Sequence, residues 1–262
     1  MTASRLPGVV TSLLIALAAT AANAQDVVDG FAARTFAGAG GVKMSYRLFV
    51  PDQKARTQPL PVIVYLHGSG GIGTDNLKQI SGGNRNGTHV WVASQMQARH
   101  PAFVIAPQLP PGARWDNQSG DGLASYAQLM IDLLGSLSKE FAIDPDRIYL
   151  TGQSLGGIGT WDVISKRPDR FAAAVPLCGV GDPSLASRLR NMPIWAFHGA
   201  KDDTVPVAGS RDMVAALRKS GSAVKYTEYP DVEHDVWLRA YVEPELADWL
   251  FAQKRSVKPK LR

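Results

Sequence analysis

Ser154 lies in the stretch RIYLTGQSLGGIGTW, residues 147–161, with Gly152 two positions before it and Gly156 two positions after. A β-branched, apolar run gives way there to a helix start. A serine on such a strand-to-helix turn has its hydroxyl held clear of the backbone, and small neighbours remove the collisions that the strained turn would cause. The helix that follows points its positive end at the site. A serine hydroxyl is a poor nucleophile at neutral pH, so a base must take its proton and a carboxylate must orient that base. On a turn of this kind the acid and then the histidine follow the serine along the chain. Two histidines lie downstream, His198 in WAFHGAKDD and His234 in EYPDVEHDVW. His198 precedes every plausible acid, so chain order selects His234 as base and leaves His198 to shape the acid loop. Asp202 and Asp203 both follow His198, and spacing alone does not separate them. Asp231 and Asp235 flank His234 too closely to bend back onto its ring, and read as solvated loop residues.

A tetrahedral intermediate carries negative charge and needs donors aimed at it, each worth roughly 3 kcal/mol. One backbone N–H comes from the residue after the nucleophile, Leu155. The glycine-rich YLHGSGGIG, residues 65–73, suits the second, because glycines let the chain approach a substrate closely. It lacks the Gly-Lys-Ser/Thr ending of a phosphate-binding loop. The five histidines show no H-E-x-x-H or similar ligand spacing, so neither metal nor organic cofactor is expected. Cys178, the single cysteine, sits in the apolar run AAAVPLCGV and reads as a buried, inert thiol.

The elements that must position these groups are legible as apolar runs. KMSYRLFVP alternates like an antiparallel strand. PVIVYLHG, AFVIAPQ, DRIYLTG, FAAAVPLCG and MPIWAFHG are continuous apolar runs suited to parallel strands buried on both faces. Helix-like segments alternate with them, notably LASYAQLMIDLLGSLSKEF and SRDMVAALRKSG. The first puts Leu123, Tyr126, Ala127, Met130, Leu133, Leu134 and Leu137 on one stripe. Strand–helix alternation predicts a doubly wound α/β sheet, with its site at the carboxyl ends of the strands. Trp161, seven residues into the nucleophile helix, reads as core. Trp115 and Trp237 fall in loops that should reach the site and are candidates for the substrate pocket wall.

Together, YLHGSGGIGTDN, APQLPPGARW, GQSLGGIGTWDVISKRPDRFAAAVPLCG, FHGAKDDTVP and EHDVW resemble the α/β-hydrolase esterases of the phospholipase/carboxylesterase and polyhydroxybutyrate-depolymerase-like group, some of them described as peptidases. The likeness runs from about residue 43 to 252. It implies an α/β-hydrolase fold, a mostly parallel central sheet with helices on both faces. In that group the acid stands four residues after the histidine of the His-Gly pair, which implies Asp202. The first oxyanion donor follows the earlier His-Gly pair, which implies Ser69. Dienelactone hydrolases share the fold and use a cysteine nucleophile, so Ser154 argues against that branch. Bacterial members are often exported esterases acting on plant-polysaccharide esters or polyesters.

Residues 1–24 read as a secretory signal peptide: Arg5, the apolar VVTSLLIALAATAA, then an Ala-x-Ala site ending at Ala24. The apolar stretch is shorter than the roughly 20 residues of a spanning helix, which argues against an uncleaved anchor and stable membrane insertion. Residues 25–262 show no repeat or low-complexity linker and read as one catalytic domain, secreted or periplasmic. The formal charge is +5, with part of the excess in the tail QKRSVKPKLR. No aromatic residues interleave with those charges, so nucleic acid is not an expected partner and the tail reads as solvated. The expected partner is a small-molecule or polymeric ester. A serine peptidase on the same fold is the rival enzyme, though such peptidases usually carry an extra gating domain. A non-catalytic binding protein on a hydrolase scaffold is the rival of another class, though such proteins usually lose a member of the Ser–His–Asp set.

Overall fold

A computed structural model describes residues 27–52, 58–117 and 120–255. The expected signal peptide and most of the basic tail lie outside the described residues. Nine strands form one sheet: β1 (Val27–Val28), β2 (Phe31–Ala37), β3 (Lys43–Phe49), β4 (Leu60–Leu66), β5 (Phe103–Pro107), β6 (Ile143–Gln153), β7 (Ala173–Leu177), β8 (Trp195–Gly199) and β9 (Lys225–Tyr229). The helices are α1 (Arg85–Val92), α2 (Ser94–Arg99), α3 (Ser125–Glu140), α4 (Leu155–Lys166), α5 (Ala208–Lys219), α6 (Trp237–Ala240) and α7 (Leu246–Ala252).

Across the sheet the order is β1-β2-β3-β5-β4-β6-β7-β8-β9. The first three strands and the β3–β5 pair are antiparallel, and every pair from β5 to β9 is parallel. The apolar runs are buried on both faces because successive side chains feed two separate cores. Val62, Val64 and Leu66 of β4 join the core under α3, α4 and α5, which includes Met130, Leu134, Trp161 and Met213. Ile63 and Tyr65, between them, face the other core with Trp91 of α1 and Leu246 and Leu250 of α7. This is the α/β-hydrolase fold.

Two details differ from the sequence expectation. Helix α3 starts at Ser125, so Leu123 packs against the core from the preceding loop and not from the helical stripe. Strands β1 and β2 form a hairpin about Asp29-Gly30, both at positive φ (51° and 84°). No helix among the described residues is long and apolar enough to cross a membrane.

Candidate active site

Strand β6 is buried from Ile148 to Gln153, and the chain then reverses into α4 at Ser154. Its φ of 55° and ψ of −120° lie where a non-glycine residue is strained. The turn persists because its surroundings over-determine it. The Ser154 N–H is shared between the Leu177 carbonyl at 3.0 Å and Cys178 Sγ at 3.3 Å, and the Ser154 carbonyl accepts from Ile158 N–H at 2.9 Å. A Cβ on Gly156 would stand 1.9 Å from the Leu66 carbonyl oxygen. Any larger residue there would push α4 off β4 and open the turn.

Two further loops at the same sheet edge bring up the polar partners. Asp202 lies just beyond β8, and His234 just beyond β9. Their loops are laced together by Ala200 N–H to the Tyr229 carbonyl (2.9 Å) and Lys201 N–H to the Val232 carbonyl (3.0 Å). Gly199 makes this close approach possible, since a Cβ on it would meet the Glu233 carbonyl oxygen at 2.2 Å. His234 Nε2 is 2.8 Å from Ser154 Oγ, and its Nδ1 is 2.8 Å from Asp202 Oδ2. The Asp202 carboxylate is fully buried. Its Oδ1 accepts from the N–H groups of Thr204 (3.0 Å) and Val205 (2.8 Å). Asp203 is exposed, and its Oδ1 accepts from the Thr204 hydroxyl at 3.2 Å. Asp231 pairs with Arg239 at the surface, at 2.8 Å.

The glycine-rich loop after β4 forms the opposite wall. Ser69 opens a short 3-10 turn, Ser69–Gly71, and Leu155 opens α4. Each N–H is therefore among those that a helix start leaves without an intrahelical acceptor. His67 anchors the loop from below. Its Nε2 accepts from Leu109 N–H at 3.0 Å, so the proton resides on Nδ1, which donates to the Gly68 carbonyl at 2.7 Å. Burial holds this imidazole neutral, with its pKa lowered from 6.5 to about 4.

Ser69, Ser154, His234 and Trp237 line one cleft of about 230 Å³, together with Ser81 to Asn84. Trp237 stands edge-on to the His234 ring, with centroids 5.4 Å apart. Trp115 is not on this cleft, contrary to the sequence expectation. It is fully buried, its indole N–H donating to the His67 carbonyl at 3.2 Å and its Cβ lying over Gly159 of α4. The missing side chain at 159 lets that loop pack against the helix, which draws the indole into the core.

Asn84 and Gln153 were not singled out from the sequence. Asn84 Oδ1 accepts the Gly68 N–H at 3.0 Å, and its amide donates to the Lys78 carbonyl at 3.1 Å. Gln153 donates to the Gly83 carbonyl at 3.0 Å, and the Tyr65 hydroxyl reaches both amide oxygens at 3.0 and 2.9 Å. A single amide in a loop carries no sequence signal.

Cys178 is buried behind Ser154, with its thiol pKa pushed well up by burial. Cys178, Asp202 and His234 could in principle bracket a metal, since their ligand atoms lie within 4.8 Å of one another. The donor set does not suit one: the thiol stays protonated, while both Asp202 oxygens and both His234 nitrogens already have hydrogen-bond partners.

Residues 46–239 match the Dienelactone hydrolase family. The chain belongs to that family. Ser154 was expected to set it outside the dienelactone branch, and this is corrected: the family's match runs through Ser154. Among solved structures, a thermostable esterase is 40% identical with a TM-score of 0.81, over 87% of this chain and 64% of that one. A bifunctional acetylxylan esterase/xylanase of Neocallimastix patriciarum is 27% identical over 63% of this chain and 22% of its own length. Feruloyl esterase D of Neurospora crassa is 24% identical over 66% of this chain and 58% of its own. The family member described here thus spans less than two thirds of each of these relatives.

Proposed function

We propose that this member of the dienelactone hydrolase family is an exported serine esterase that cleaves carboxylic esters through an acyl-enzyme. The observation that carries the reading is the continuous Ser154–His234–Asp202 chain, with 2.8 Å at each link. His234 Nε2 takes the Ser154 proton as Oγ attacks the ester carbonyl. The negative charge that develops on the carbonyl oxygen is received by the N–H groups of Ser69 and Leu155. As the tetrahedral species collapses, His234 returns the proton to the leaving alkoxide, and the acyl group stays on Ser154. Water, deprotonated by the same nitrogen, then releases the acid and restores the hydroxyl. Asp202 keeps the Nδ1–H tautomer and stabilises the imidazolium in both halves.

The cleft is small, and glycine and serine form much of its wall, which favours a short acyl group over a fatty one. The relatives' names, acetylxylan esterase and feruloyl esterase, support plant-polysaccharide acyl esters as the substrate class, with polyesters as the other polymeric candidate. Export rests on the signal-like residues 1–24.

A fluorophosphonate probe should label the wild-type chain and leave Ser154→Ala unlabelled. Hydrolysis should be fastest on acetyl esters, acetylated xylan included, and should fall as the acyl chain lengthens. Labelling of Ser154→Ala, or a preference for long acyl chains, would refute the reading.

A further inference from the structure

His198 lies on β8, is fully buried, and sits beside the carboxylate of Asp202. Its Nε2 is 2.9 Å from the Val205 carbonyl oxygen and 3.2 Å from Asp202 Oδ2. Both neighbours are acceptors only, so Nε2 must carry a proton. Its Nδ1 is 2.7 Å from Ser210 Oγ on α5, which also lies 3.1 Å from the Gly179 carbonyl. Burial lowers the pKa of this ring, which favours the neutral form with its proton on Nε2. Oδ2 of Asp202 therefore accepts from His234 at 2.8 Å and also lies 3.2 Å from the protonated Nε2 of His198, whose N–H bonds to the Val205 carbonyl.

We propose that His198 is a positioning residue which sets the proton affinity of His234 through the shared oxygen of Asp202. The inference rests on reading His234 as the base of this site. The polarised N–H of His198 beside Oδ2 holds part of the charge of the oxygen that would stabilise a His234 imidazolium. Without it the carboxylate binds the imidazolium more strongly, and His234 becomes more basic. The other titratable groups near His198 are Glu228 on β9 and the Cys178 thiol after β7. Glu228 is tied to Arg211 and to the Tyr226 hydroxyl, and the thiol stays protonated, so neither substitutes for the His198 donor.

Two amide replacements separate the donor from mere bulk. His198→Gln puts an N–H near the position of Nε2 and keeps the contact with Asp202. His198→Asn puts its amide near Nδ1, keeps Ser210 and loses Asp202. The His234 ring is followed by NMR across pH in the full chain. In His198→Asn its pKa should rise by about 0.5 to 1 unit, whereas His198→Gln should stay close to wild type. The acid limb of kcat/KM on p-nitrophenyl acetate should move with it. A purely structural role would lower Tm in both variants and leave the His234 titration in place. In unsubstituted protein, the His198 Nε2–H resonance should itself shift as His234 titrates, which provides a test even if His198→Asn does not fold. The proposal is overturned if that resonance does not respond, or if the two variants titrate alike. If the NMR shift appears and the rate profile stays still, the coupling holds and the assignment of His234 as base fails.

Discussion

At the scale of single residues, the adjacent carboxylates Asp202 and Asp203 offer the sharpest contrast. Sequence spacing left them equivalent, and only the family likeness separated them. The physical difference is one of environment: Asp202 is buried with donors on both oxygens, and Asp203 faces solvent. Asp202→Asn should therefore cost on the order of 10³ to 10⁴-fold in kcat, because an amide no longer selects the tautomer or stabilises the imidazolium. Asp203→Asn should cost less than about tenfold. Steady-state kinetics on a p-nitrophenyl ester decides it, and the reverse pattern would move the acid to Asp203. Asn84 carries a second residue-scale prediction. It holds the Gly68 N–H one residue before Ser69, the proposed oxyanion donor, so Asn84→Ala leaves that N–H unpaired and lets the loop drift. A loss of about 1 to 2 kcal/mol, roughly five- to thirtyfold, should fall on kcat with KM little changed. A change in KM alone would mean that the loop binds substrate and does not aim the donor.

At the scale of elements, the parallel strands were legible because burial on both faces leaves an unbroken apolar run, and the serine elbow because its glycines recur at fixed offsets. The β1–β2 hairpin was passed over, although Asp29-Gly30 between apolar residues is the ordinary signature of a two-residue turn with both φ positive. Trp115 was misplaced for a deeper reason. Its burial depends on Gly159, 44 residues away, and no local pattern reports a contact made across the fold. The same steric logic predicts opposite outcomes for two glycines in helices. Gly156→Ala forces a Cβ to 1.9 Å from a backbone oxygen of β4, which only displacement of α4 can relieve. It should destabilise by about 3 kcal/mol or more and abolish activity. Gly135 lies exposed in the interior of α3, and a Cβ there meets nothing within 4 Å. Gly135→Ala should stabilise by about 0.5 to 1 kcal/mol through helix propensity alone. Chemical denaturation of the two variants checks both signs.

At the scale of the whole molecule, buried neutral histidines make folding stability depend on pH in a window set by their own shifts. His67 has a pKa of about 4 in the fold against 6.5 when free, because burial opposes the charged form more than the bond to Gly68 favours it. Between those values the unfolded chain binds a proton that the folded chain refuses, so stability falls as pH falls. The contribution is complete above pH 6.5 and fully lost below about pH 4. At pH 5 the cost should reach about 2 kcal/mol from His67, and His198, shifted in the same direction, adds to it. The carboxylates held below their usual range by partners, Asp144 beside Arg147 and Glu228 beside Arg211 among them, act later. Their stabilisation is present above the ordinary carboxylate range and is lost only as pH drops through their lowered values. The acid limb of stability should therefore have two phases, histidine first and carboxylate second. Urea denaturation at pH 7 and pH 5 should show the first phase in wild type. Its amplitude should shrink in His67→Gln, whatever that variant's stability at pH 7. A wild-type stability that stays flat from pH 7 to 5 would mean that the His67 imidazole is not held neutral beneath the glycine-rich loop, and that the loop is anchored by some other contact.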